Sequence, residues 1–166
     1  MELLIHSGGV AQWRGLELRC ALGRSGVTAN KTEGDGTTPI GAFKIRKILF
    51  RADRTAPPDT ALPVTTIGPN DGWCDAPDDA DYNRQVILPH QARCESLWRD
   101  DHVYDLIAVT TYNEAPVISA NGSAIFMHIA RDSYAGTAGC VAFSEPDLRL
   151  ILAKWRIADV LRIFET

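Results

Sequence analysis

A chain of 166 residues with 45% apolar, 23% charged and 8% aromatic side chains and a net charge of −4 has the size and composition of one folded domain, and is too apolar to be disordered. Its mild acidity argues against a general nucleic-acid binder, which carries a basic excess; 13 arginines against 4 lysines still leave room for guanidinium groups reading carboxylates. The opening MELLIHSGGV lacks the basic start and long apolar run of a secretory leader, and no stretch approaches the roughly 18 apolar residues of a membrane span. The expectation is a soluble, cytoplasmic, monomeric protein with neither nucleic acid nor membrane as partner; a leader removed beforehand would instead make it periplasmic.

Taken in chain order, the pattern is mostly strand. Leu16, Leu18, Cys20 and Leu22 alternate with polar or small residues, as in a half-buried strand. A turn-rich loop follows over 23–39, then a strand candidate at 41–50 (GAFKIRKILF). Residues 51–84 hold five of the nine prolines and read as a second long loop. Loops of this length in a small domain usually bind something. A short helix is expected around Cys94–Asp100, and strands over 103–112 and 123–130. A helix is signalled by Ser144 as cap, Pro146 in the first turn, Asp147 three residues after the cap, and an apolar face of Leu148, Ile151, Leu152 and Trp155. The closing IADVLRIFE reads as a last strand. The whole, residues 1–166, is expected to be a single mainly-β domain with long functional loops.

Cys20, Cys74, Cys94 and Cys140 are widely spread and show no zinc-site spacing. Two disulfides are arithmetically possible; if one cysteine is a working thiol, three are left over, and a reducing compartment is the simpler setting.

The chemistry concentrates in FMHIARDSYAGTAGCVAF. His128 sits in a strand-like run twelve positions before Cys140, which follows Thr137-Ala138-Gly139. A glycine before a cysteine permits a tight turn that presents backbone N–H groups beside the sulfur, as an oxyanion hole requires. An imidazole within hydrogen-bond reach can take the thiol proton and make the thiolate nucleophile, and such a thiol is expected to have a lowered pKa. On residue types and spacing alone, a buried, inert cysteine and a core histidine are the commoner outcome.

This segment resembles the signature of the YkuD-type L,D-transpeptidase family: a His, a loop, then Ser/Thr-His-Gly-Cys. Upstream, Thr38-Pro39-Ile40-Gly41-Ala42-Phe43 resembles that family's T-P-x-G-x-F segment, in the family order and about a hundred residues away. The resemblance implies a YkuD-like β-sandwich and a cysteine acyl-enzyme acting on peptidoglycan stem peptides, at the L-centre carbonyl of the third-position diamino acid, with release of terminal D-Ala. It implies Cys140 as nucleophile, His128 as base, the Ile129 carbonyl as its orienting acceptor, Gly139 and Cys140 as oxyanion N–H donors with Ala138 as a further candidate, and Thr137 as a loop brace. The family's histidine before Gly-Cys is Ala138 here, and a polar residue common two positions after the cysteine is Ala142. Arg131 is a candidate substitute, or a solvated loop residue.

Arg54, Trp73, Tyr82 and Arg84 in the long loop are candidates for holding the substrate's carboxylates and peptide, or for pairing and packing among themselves. No metal or organic cofactor is expected, because nucleophile and base suffice. His6, His90 and His102 are expected at the surface. Without a visible leader, trimming of tetrapeptide muropeptides by water, an L,D-carboxypeptidase reaction, is favoured over 3–3 cross-linking, with a non-catalytic muropeptide-binding module as the contrasting class.

Overall fold

The computed structural model describes every residue from Met1 to Thr166. The elements are β1 (Glu2–His6), β2 (Val10–Trp13), β3 (Leu16–Arg19), β4 (Val27–Thr28), β5 (Thr38–Pro39), β6 (Gly41–Phe43), β7 (Ile45–Phe50), β8 (Val64–Thr66), β9 (Asp71–Cys74), β10 (Gln85–Ile87), β11 (Cys94–Ser96), β12 (Leu106–Thr110), β13 (Phe126–Ile129), β14 (Val141–Phe143), α1 (Glu145–Lys154) and β15 (Val160–Phe164). A 3₁₀ turn spans Asp132–Tyr134.

Two five-stranded sheets carry the fold, ordered β3-β2-β1-β15-β6 and β14-β13-β12-β7-β8. One apolar cluster joins them: Leu3, Ile5 and Trp13 from the first sheet meet Ile48, Ala108, Met127 and Phe143 from the second, with Leu148, Ile151 and Leu152 of α1 closing its side. This is a β-sandwich, and the mainly-β expectation holds. Trp155 ends α1 and stacks on Trp13 at 5.3 Å. The helix is capped as its sequence indicates: Asp147 N–H donates to Ser144 Oγ at 3.2 Å, and Pro146 lies in the first turn.

The period of two along strands gives the second sheet a second buried face. Ile107 and Val109 of β12 and Phe126 of β13 turn away from the sandwich core, into a separate cluster with Trp73, Leu97 and Tyr104. A small third sheet, β10-β9-β11, lies on that side. His128 and Cys140 occupy this second face.

Several local expectations change. The run 41–50 is two strands, not one: β6 pairs with β15 in the first sheet and β7 with β12 in the second, so the chain crosses between sheets at Lys44. Leu16–Leu22 is not one half-buried strand. β3 is an edge strand with Leu16 exposed, and Cys20 and Leu22 are buried beyond its end. The helix expected near Cys94–Asp100 is β11 followed by a turn, because β9 offers Cys94–Ser96 a ladder. The 51–84 loop likewise contains β8 and β9. β1 and β2, which carry short apolar runs, complete the first sheet. No helix is long and apolar enough to cross a membrane.

Leu152 is fully buried where α1 meets both sheets. Leu152→Ala should therefore lower unfolding free energy by about 2–5 kcal/mol, while Leu16→Ser on the exposed edge should change it by no more than about 0.5 kcal/mol; urea midpoints of the two variants check the contrast.

Candidate active site

β13 and β14 run parallel, with Met127 opposite Val141, His128 opposite Ala142 and Ile129 opposite Phe143. Met127 and Ile129 fill the sandwich core, so His128 is delivered to the opposite face with Phe126. Cys140 precedes β14 by one residue and emerges on that same face, beside Trp73, Tyr104 and Phe126. His128 and Cys140 line one cavity of about 630 Å³. A second cleft of about 670 Å³, around Ser7–Val10 and Cys20–Gly23, holds neither.

The imidazole is held on both sides. Nδ1–H donates to the Ile129 carbonyl at 2.8 Å, leaving Nε2 as the free lone pair. The Tyr104 ring meets it edge-on at 5.4 Å, and Tyr104 Oη–H donates to Glu95 Oε1 at 2.7 Å. The Cys140 thiol donates to the Ala124 carbonyl at 3.1 Å and its sulfur accepts from Phe126 N–H at 3.4 Å. Burial pushes the thiol up to about 12, and burial pushes His128 down to about 4. The lowered thiol pKa expected from the sequence is therefore reversed: the resting pair is neutral thiol and neutral imidazole, because desolvation opposes both charges.

The turn before Cys140 is tightly specified. Thr137 Oγ1–H donates to the Cys140 carbonyl at 2.7 Å and accepts from Gly139 N–H at 3.0 Å. The Gly139 N–H named for the oxyanion hole is thus already engaged inside the turn. The N–H groups of Ala138 and Cys140 have no intramolecular partner and are the donors that remain available. Gly139 has φ +147°, and a Cβ there would lie 2.8 Å from the Thr37 carbonyl oxygen and 3.6 Å from Lys31 Nζ. Thr37, the residue just before the T-P-x-G-x-F segment, therefore touches the cysteine turn from far away in sequence, and Lys31 stands beside Gly139.

Of the proposed substrate-holding residues, only Arg131 lines the cavity; its side chain is half exposed and 3.8 Å from Asp101. The others are corrections. Arg54 donates to the carbonyls of Asp100 and Asp101 and to Asp105 Oδ1 at 2.9 Å, fixing the 100–105 turn. Trp73 is buried edge-on against Phe126, with Nε1–H on Asn83 Oδ1 at 2.9 Å. Tyr82 is buried, donating to Glu33 Oε2 and accepting from Gly122 N–H at 3.0 Å. Arg84 is exposed and lies outside the cavity. Arg54, Trp73 and Tyr82 are thus engaged in contacts within the protein, whereas Arg84 is exposed away from the cavity. His6 and His90 are also not surface residues: His6 is half-buried, edge-on to Phe164 at 4.5 Å, and the His90 side chain is only 15% exposed.

The cavity's charge comes from residues that carried no motif. Arg24, Lys31, Arg93 and Arg99 supply cations, and Glu33, Asp75 and Glu95 supply acids. Lys31 is buried, with its ammonium held by Asp35 and by the Thr32 carbonyl at 3.2 Å. The sequence carries no signal for Lys31; its place in the cavity shows only once the 23–39 loop is seen to fold onto Gly139. Burial raises the Glu95 carboxyl above its ordinary range despite the Tyr104 hydrogen bond.

The family model of the YkuD L,D-transpeptidase catalytic domain matches residues 2–163. The chain belongs to that family. No curated protein and no solved structure matches it. Membership brings an L,D-transpeptidase-family enzyme that acts on peptidoglycan peptides.

Gly139→Ala places its Cβ against backbone in a conformation costly for any L side chain. It should cost roughly 1–3 kcal/mol of stability and, by displacing the sulfur, most of the activity; calorimetry and turnover measured together test this. The His128 pKa gives a second expectation. Its folded value, about 4, lies below the unfolded value of about 6.5, so the folded state binds fewer protons. Stability from this group is complete above about pH 6.5 and is lost as pH falls toward 4, by up to about 3 kcal/mol. Activity that needs the neutral imidazole should stay level from about pH 5 to 8 and fall only near 4, which corrects the mid-range acid limb expected from an unshifted histidine. A kcat/KM profile with an inflection between 6 and 7 assigned to His128 would refute it.

Proposed function

We propose that the protein is an L,D-carboxypeptidase that removes terminal D-Ala from peptidoglycan stem tetrapeptides, with Cys140 as nucleophile and His128 as general base. The observation that carries the reading is a single cavity of about 630 Å³ with the thiol and imidazole in its lining and both signs of charge around them. That volume suits one small ligand. A tetrapeptide's end offers two carboxylates and, on the diamino acid, an ammonium. Arg24, Arg99, Arg131 and Lys31 suit the carboxylates, while Glu95 and Asp75 suit the ammonium.

The steps follow from the resting hydrogen bonds. Substrate entry excludes water, the Cys140 thiol leaves the Ala124 carbonyl, and Nε2 of His128 takes its proton. The sulfur adds to the L-centre carbonyl carbon, and the oxyanion meets the free N–H groups of Ala138 and Cys140. Imidazolium returns the proton to the departing D-Ala amine, leaving a thioester. Water, deprotonated by the same imidazole, then releases tripeptide and thiol. The Ile129 carbonyl keeps Nδ1–H fixed so that Nε2 always faces the reaction.

All four cysteines are thiols, and Cys74 and Cys94 sit opposite one another on paired strands, an arrangement open to oxidation outside the cell. A reducing, cytoplasmic setting suits this chain, and recycled muropeptides are the substrate pool it implies.

Product analysis on purified disaccharide tetrapeptide tests the reading. Tripeptide and free D-Ala should accumulate, with His128→Gln reducing kcat by about 10²–10⁴ and Cys140→Ala abolishing turnover. Cross-linked dimer as the main product in the presence of acceptor stem peptide would make the protein a transpeptidase. Absence of any carbapenem adduct on Cys140, with muropeptide binding intact in Cys140→Ala, would make it a binding module.

A further inference from the structure

Cys74 is fully buried, yet it belongs to neither apolar cluster. It ends β9, and the pairing with β11 sets Cys94 directly opposite it. Cys74 N–H and C=O bond toward the other neighbour, to Arg84 and Asn83, so the Cys74–Cys94 pair is a non-hydrogen-bonded one whose side chains approach closely on one face. The loop between β10 and β11 brings His90 to the same place. The two sulfurs and an imidazole nitrogen all lie within 4.8 Å of one another. Both ring nitrogens have partners: Nε2 is 3.2 Å from Asp81 Oδ2, and Nδ1 accepts from Ala92 N–H at 3.2 Å, so a metal on Nδ1 takes the place of that one bond within the 88–93 loop.

We propose that Cys74, His90 and Cys94 form a structural zinc site, with a water molecule completing a tetrahedron. Two thiolates and an imidazole select zinc over the hard cations, which take oxygen. Ligand atoms of a tetrahedral zinc site lie somewhat closer together than 4.8 Å, so a small inward movement of the 88–93 loop suffices. Asp81 on the far nitrogen gives the carboxylate–histidine–metal arrangement that fixes ring orientation. Binding releases the two thiol protons to solvent and leaves zinc's charge state unchanged. The third sheet gains most from such a link: its Trp73 face packs on the core, while its Cys74 face has only the 75–93 segment over it. Cys94 also lines the active-site cavity, so the metal would hold one wall of it. The inference stands independently of the reaction assigned to Cys140.

Protein isolated with reductant and without chelator should retain about one equivalent of zinc by elemental mass spectrometry. Cys140→Ala should retain it equally, which separates this site from the active thiol. Cys94→Ser, at a half-buried position, should lose at least 100-fold in affinity while keeping its circular dichroism, and it carries the test alone if Cys74→Ser fails to fold. Asp81→Asn should weaken binding by about 10–100-fold. Cobalt(II) should give thiolate charge-transfer absorption in wild type and not in Cys74→Ser/Cys94→Ser. Three results overturn the proposal: folded, reduced wild type that takes up no zinc; zinc lost in Cys140→Ala but kept in Cys94→Ser; or a Cys74–Cys94 disulfide in the protein as isolated from cells.

Discussion

The parallel pairing of β13 with β14 is the constraint on which the site depends. A strand shows alternate residues to alternate faces, so locking Met127 against Val141 and Ile129 against Phe143 in the sandwich core leaves His128 no choice of side. Cys140 is placed by the same register, one residue ahead of Val141. A one-residue slip would exchange every side chain between core and cavity, burying the imidazole among leucines and sending Met127 into the site. The fully buried Met127, Val141 and Phe143 make that slip prohibitive. Hydrophobic burial on one face thus fixes polar geometry on the other.

Burial also sets the protonation state of the resting site. A thiolate–imidazolium pair would place two charges in a desolvated pocket, and their attraction repays that cost only with good geometry and further hydrogen bonds. Here the thiol proton rests on the Ala124 carbonyl and the imidazole is neutral. On the proposed mechanism, the ion pair would form only in the substrate complex, with the free N–H groups of Ala138 and Cys140 beside the developing oxyanion. A neutral resting thiol is also a poor target for oxidants, since the thiolate is the reactive form.

Fold class, the α1 helix with its Ser144 cap, and the pair Cys140 and His128 were legible in the sequence because each is written locally: a capping residue, an apolar stripe, a glycine before a cysteine. Three things were not. The chain's crossing between sheets at Lys44 leaves no mark, since β6 and β7 are both strand-like and only their partners differ. The β11 strand reads as helix because a three-residue strand takes its identity from the ladder offered by β9. The cavity's cations and acids come from four separate segments, and convergence of Arg24, Asp75, Glu95 and Arg131 is a property of the fold alone. Conversely, Trp73, Tyr82 and Arg54 look like ligand-binding residues because aromatic and guanidinium groups in a long loop have two uses, and the sequence does not distinguish them.

Those same residues are nevertheless tied to the chemistry through a single amide. Asn83, held at φ +56°, accepts from Trp73 Nε1–H and from Ala124 N–H through one oxygen, and donates through Nδ2 to the carbonyls of Tyr112 and Asn113. The carbonyl of that same Ala124 receives the Cys140 thiol. The third sheet is therefore joined to the nucleophile by a continuous run of hydrogen bonds, from Trp73 through Asn83 and Ala124 to the sulfur. Tyr82, next in sequence to Asn83, reinforces the run by gripping Gly122 N–H and Glu33. A non-glycine residue in the left-handed region persists only where surrounding bonds over-determine it, and four side-chain bonds at Asn83 do so. Contacts that hold β9 in place therefore also bear, through Asn83 and Ala124, on the position of the Cys140 sulfur.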